Sequence, residues 1–189
     1  MKKKLIMAAL IALCLTAAVR GSLAYFTAED RAENVITAGN VKIAIRETME
    51  TEDGKIVPWE TQEDVTPGTT VSKIVKVENT GTNAAWVRVR VEPAVVREDG
   101  SAGDPSLLTL AGLDTVRWTE RDGYWYYGRA LGAGETTEEL FTGVVFDPRM
   151  DDSYRNSTAT VTVYVEATQT ANNGASVFEA AGWPEGKGE

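Results

Sequence analysis

Thr158–Ala167 reads "TATVTVYVEA". Ala159, Val161, Val163, Val165 and Ala167 alternate with Thr158, Thr160, Thr162, Tyr164 and Glu166. A period of two over this length specifies a β-strand with one buried face and one wet face. The same period recurs upstream. Val41, Ile43 and Ile45 alternate with Lys42, Ala44 and Arg46. Val71, Val75 and Val77 share a face that Lys73 interrupts. Ala85, Val87, Val89 and Val91 alternate with Trp86, Arg88, Arg90 and Glu92. The β-branched content agrees with this reading.

Shorter strands are expected at Lys55–Trp59, ending at Pro58, and at Leu140–Phe146, which is apolar on both faces. Val116–Thr119 and Tyr124–Tyr127 flank an Asp122-Gly123 step, which favours a tight hairpin. Asp99–Leu113 reads as a loop with one helical turn after Pro105. Turn signals at Pro67-Gly68, Asn79-Thr80-Gly81, Gly132–Gly134 and Asp147-Pro148 punctuate the rest. The expectation is one all-β, antiparallel β-sandwich of about eight strands. Immunoglobulin-like and jelly-roll orders both satisfy the pattern.

The first 24 of the 189 residues read as an export signal. Lys2, Lys3 and Lys4 precede an apolar run from Leu5 to Val19, and Ser22-Leu23-Ala24 offers small residues to a signal peptidase. The apolar run is short for a transmembrane helix, which needs roughly 20 residues. Cleavage is therefore expected between Ala24 and Tyr25, with Ser22 and Ala24 as the recognised positions. The membrane would be touched only through the uncleaved signal. Residues 25–189 then form a single domain, with an N-terminal arm at 25–36 and a frayed tail at 182–189.

The single cysteine, Cys14, lies inside the signal, so the domain is held by its core rather than by disulfides. Four of the 19 basic residues and none of the 28 acidic ones precede Tyr25, which leaves 15 basic against 28 acidic side chains, a net −13. Such a surface repels nucleic acid.

There is no histidine in the chain. That removes the usual general base and the commonest metal ligand. With no cysteine left to act as nucleophile and no Walker, GxGxxG or GxSxG motif, the chain is not expected to be an enzyme or to carry a cofactor. Asp147, Asp151 and Asp152 cluster in one loop and offer oxygen ligands for Ca²⁺, although their spacing is not that of an EF-hand. Tyr124, Trp125, Tyr126 and Tyr127 offer a sugar platform, or a core pair plus a surface pair if the strand alternates.

"GSLAYFTAEDRAENVITAGNVKIAI", Gly21–Ile45, resembles the start of the TasA/camelysin family of exported bacterial proteins, including the turn Thr37-Ala38-Gly39-Asn40. "VTPGTTVSKIVKVENTGTNAAWVRVRV", Val65–Val91, and "ALGAGETTEELFTGVVFD", Ala130–Asp147, are similar to later parts of that family, as is "EATQTANNGASVFEAAGWP", Glu166–Pro184. Cysteine-free export fits a Gram-positive surface protein, and the resemblance implies secretion, processing by a SipW-like signal peptidase and a jelly-roll sandwich. It also implies a structural role in biofilm-matrix or surface fibres, by self-association or with a related matrix protein. The family's metallopeptidase label does not carry over to a chain without histidine.

In that setting Tyr25–Ile36 would be an assembly arm, with Tyr25, Phe26, Val35 and Ile36 as its apolar anchors. It would add a strand to a neighbour's sheet edge. Alternatively the arm folds back and covers an edge of its own domain. A monomeric surface-binding module for carbohydrate or protein is the other function the residues allow.

Overall fold

A computed structural model describes residues 26–38 and 41–184. The export signal, with Ser22, Ala24 and Tyr25, and the last five residues lie outside that range. Eleven strands occur among the described residues. They are β1 Phe26–Ala38, β2 Ile43–Glu50, β3 Ile56–Pro58, β4 Gln62–Val65, β5 Thr70–Asn79, β6 Ala85–Val96, β7 Leu108–Ala111, β8 Trp118–Arg121, β9 Tyr124–Tyr127, β10 Phe141–Phe146 and β11 Ser157–Gln169. Two short 3₁₀ turns, Pro105–Leu107 and Asp152–Tyr154, complete the inventory.

The strands form two sheets, ordered β4-β1-β11-β6-β9-β8 and β3-β2-β5-β10-β7. The alternation that marked Thr158–Ala167 now has its physical cause. Ala159, Val161, Val163, Val165 and Ala167 all lie in the core, as do Val87 and Val89 of β6. From the second sheet Val75, Val77, Phe141 and Phe146 meet them. Each buried valine or phenylalanine among them stabilises the fold by about 1.5–3 kcal/mol, and each alanine by less. β11 and β6 pair antiparallel from Thr158↔Val96 to Gln169↔Ala85, which makes this ribbon the spine of the first sheet.

The all-β expectation holds, and its count of about eight is corrected to eleven. The additional strands are β1, β4 and β7. β7 lies in the stretch expected to be loop, paired with β10 from Phe146↔Leu108 to Gly143↔Ala111. Four residues are too few to display a period. β1 also breaks the antiparallel expectation, because it runs parallel to β11. The β8–β9 hairpin forms as expected, with Asp122 at φ 54° and Gly123 at φ 79°, the left-handed pair that a two-residue hairpin turn requires.

Candidate functional site

The arm lies in its own domain. β1 fills a slot between β11, its parallel partner, and β4, its antiparallel one. Its first residues carry the anchoring. Phe26 is 1% exposed and Ala28 is buried. The Phe26 ring packs 5.5 Å from Phe146 and 6.3 Å from Tyr154, centroid to centroid. The arm's first described residue is therefore a core residue.

The parallel register runs from Phe26↔Ser157 to Arg31↔Thr162, and resumes at Asn34↔Tyr164. β1 thus spends one residue more than β11 between these points. Such a bulge changes which residues share the β11 core face. Val35 comes to stand opposite Val165 and Ile36 opposite Glu166.

Behind the slot sits a buried ion pair. Lys73 Nζ lies 2.9 Å from Glu47 Oε1, with side chains 3% and 7% exposed. The ammonium stands 4.2 Å from the centroid of the Trp59 ring. The Trp59 indole N–H donates to the Ser72 carbonyl at 3.1 Å. A small cavity joins Lys73 to the slot, lined also by Ala28, Trp59, Phe146, Ala159 and Val161. In the sequence Lys73 registers only as a break in an apolar face, and nothing local marks Glu47 as its partner.

The aromatic row splits as alternation requires. Trp125 and Tyr127 face the main core. Tyr124 and Tyr126 face outward, but they are not bare. Val177, Ala180 and Trp183 pack over them together with Trp86. The Trp183 ring meets Tyr126 edge-on at 5.9 Å, and Phe178 lies 5.4 Å from it. Asn173 holds this strap down. Its amide donates to the Ala181 carbonyl at 3.0 Å and its carbonyl accepts from the Ala181 N–H at 2.7 Å. The expected frayed tail therefore begins late, since Trp183 is packed.

Under the strap, Arg88 bonds Glu166, Nε to Oε2 2.7 Å, and stacks 4.0 Å from the Tyr124 ring and 4.5 Å from that of Trp183. Burial pulls the Arg88 pKa down, but hydrogen bonds with Tyr126 and Glu166 outweigh it and the net direction is up. Burial, and then the nearby Glu166 charge, raise the pKa of Tyr124. A sugar would find the outward ring pair already covered.

The three acidic residues considered for Ca²⁺ do not converge. Asp147 is clamped by Arg149, Nη2 to Oδ2 2.8 Å, which holds its carboxyl below the usual range. Asp151 caps the turn at Ser153, accepting from its N–H at 2.9 Å and from its hydroxyl at 2.6 Å. Asp152 lies in the first turn of the 3₁₀ segment that Asp151 caps. No group of three metal-ligating side chains comes together among the described residues.

Comparison with models of known protein families and with curated proteins returned no match to this chain. The slot of β1, with the buried Lys73–Glu47 pair behind it, is the candidate site on geometric grounds alone.

Proposed function

We propose that the chain is an exported structural protein, a subunit of biofilm-matrix or cell-surface fibres. A SipW-like signal peptidase releases Tyr25, and the freed arm, Tyr25–Ile36, adds to a sheet edge of the next copy or of a related matrix protein. The two sheets are read as a jelly-roll sandwich. The runner-up, a monomeric surface-binding module, has less support because its aromatic platform lies under the strap.

One observation carries this reading. After the proposed cleavage the arm is a chain-terminal strand, and its apolar anchor, Phe26, sits in a slot between two other strands. A terminal strand can leave its own slot and fill the identical slot of another copy with the same contacts. Head-to-tail exchange of this kind does not close on itself and builds a filament. The acidic domain surface keeps unassembled chains apart until the arm is engaged.

The test is electron microscopy of residues 25–189 with a native N-terminus, concentrated at neutral pH. Filaments are expected. A chain lacking Tyr25–Ile36 should form none, and an added Tyr25–Ala38 peptide should bind it and leave it monomeric. Filaments from the truncated chain would overturn the proposal.

A further inference from the structure

β2 and β5 run together only part of the way. Their antiparallel pairing begins at Ile43↔Asn79 and ends at Thr48↔Ile74. Past Thr48, β2 continues beside β3 to Glu50↔Ile56, while β5 keeps β10 as its partner down to Val145↔Thr70. Thr70, Val71 and Ser72 therefore have a strand on the β10 side alone.

Backbone groups alternate in direction along a strand. The Thr69 and Val75 carbonyls accept from the Phe146 and Leu140 N–H groups, on the β10 side. The even positions face the other way. There the Ser72 carbonyl takes the Trp59 indole N–H at 3.1 Å, and the Ser72 hydroxyl accepts from the Glu50 N–H at 2.9 Å. Side chains thus close the gap between the strands at Ser72. One step further on, Thr70 is exposed and turns its N–H and C=O the same way. Those groups face a groove of about 950 Å³. A strand edge left open in this manner is a template for another chain.

The lining states what that chain should look like. Met49, Ile56, Val65, Val71 and Ile74 give the groove apolar contact surface, and Ile56 is 57% exposed beside it. Glu50, Glu52 and Glu63 give it negative charge, and Glu139, paired with Lys76, adds a fourth carboxylate. Among the described residues that line it there is no lysine or arginine. No three acidic side chains converge on one point among the described residues. Charge spread along a groove matches a ligand with several separated cations rather than one metal ion.

We propose that this groove binds an extended, basic segment of a partner protein, which adds a strand to β5 at Thr70. Main-chain hydrogen bonds to Thr70 give affinity, and alternate side chains give specificity. Apolar side chains of the segment meet the valines and isoleucines, and lysines or arginines between them meet the glutamates. The net negative charge of the domain steers such a segment toward it. The chain's own arm is a poor match, because Glu29 and Asp30 would add negative charge to an acidic groove. The arm keeps its slot while the groove is filled, so this binding does not rest on strand donation.

The experiment titrates residues 25–189 into a dye-labelled peptide of sequence Lys-Val-Lys-Val-Lys-Val and follows fluorescence anisotropy. Saturable binding is expected, weaker at high salt because exposed charges are screened. A Glu-Val-Glu-Val-Glu-Val peptide should not bind. In nuclear magnetic resonance hydrogen exchange, the Thr70 amide should exchange more slowly with the basic peptide bound, a readout that electrostatic attraction alone would not move.

Glu50→Gln, Glu52→Gln and Glu63→Gln combined, all exposed or half-exposed positions, should weaken binding roughly tenfold. Thr70→Pro removes the N–H that faces the groove and leaves the Thr69 bond to the β10 side in place; proline is tolerated at such an edge. It should abolish binding in a chain whose circular dichroism is unchanged. Binding undiminished by the three glutamines, or an unprotected Thr70 amide in the saturated complex, would overturn the proposal. So would spermidine displacing the peptide at equal concentration, since a free polycation makes no strand. Peptide binding by a chain that never forms filaments sustains the groove and removes the fibre reading. Filaments from a chain that ignores the peptide do the reverse.

Discussion

Replacing Phe26 with alanine tests the most consequential feature of the fold, the seating of the arm. The ring is 1% exposed and packs against Phe146 and Tyr154. Removing a buried aromatic ring costs about 3–5 kcal/mol, the transfer term plus the cavity left behind. A domain of this size loses about 2–4 °C in Tm per kcal/mol, so the midpoint should fall by roughly 10 °C. Urea unfolding of residues 25–189, followed by circular dichroism, should show a lower midpoint at unchanged slope. Thr27→Ala, at the half-buried neighbour, should stay within about 0.5 kcal/mol, as surface changes do. A Phe26→Ala loss below about 1 kcal/mol would refute the reasoning. It would mean that the arm does not occupy its own slot in solution and that the core closes without it.

Other outcomes follow from particular contacts. Asn79 is fully buried; its amide donates to the Asn83 and Leu131 carbonyls and its carbonyl accepts from the Gly81 N–H. Asn79→Ala should lower unfolding free energy by about 2–4 kcal/mol, because buried partners are left unpaired. Glu166→Gln should cost about 2–4 kcal/mol in the same assay, since it strands Arg88 in a half-closed site. Stability should be flat from about pH 5 to 9, as the chain has no histidine. Asp114, Glu138 and Asp147 have lowered pKa values, chiefly through hydrogen bonds from Arg117, Tyr127 and Arg149 respectively. A carboxyl whose pKa is lower in the folded state stabilises above its unfolded value, so acid unfolding should set in below about pH 4. At the alkaline end, burial and then Glu138 raise the pKa of Tyr127. Its contribution is present below its unfolded value and is lost as pH rises beyond about 10.

Much of this architecture is legible in the order of residues. The alternation in β2, β5, β6 and β11 announces each strand, because a pleated backbone sends neighbours to opposite faces and water rejects only one of them. Asp122-Gly123 announces the β8–β9 turn because few residue pairs tolerate two consecutive left-handed conformations. The missing histidine is likewise read directly, since a side chain that is not present cannot act as base or metal ligand. β4 and β7 stay hidden, because four residues at a sheet edge form strands through their partners rather than through their own period. The strap over Tyr124 and Tyr126 is hidden too. Its Val177 and Trp183 have no periodic relation to the strands they cover.

The buried pair separates the two levels most sharply. Lys73 breaks an apolar face in the sequence, and an interruption of that kind is equally compatible with an edge, a register change or a solvated bend. Its burial depends on Glu47 from β2 and on the Trp59 ring, contacts with no local signature. The parallel run of β1 along β11 is likewise a choice between distant segments, decided by where Phe26 finds its pocket. Chain order alone therefore determined the β class and the main strands. The tertiary structure decided which strand lies beside which and which charges leave water, because pairing and desolvation are properties of segments far apart in sequence.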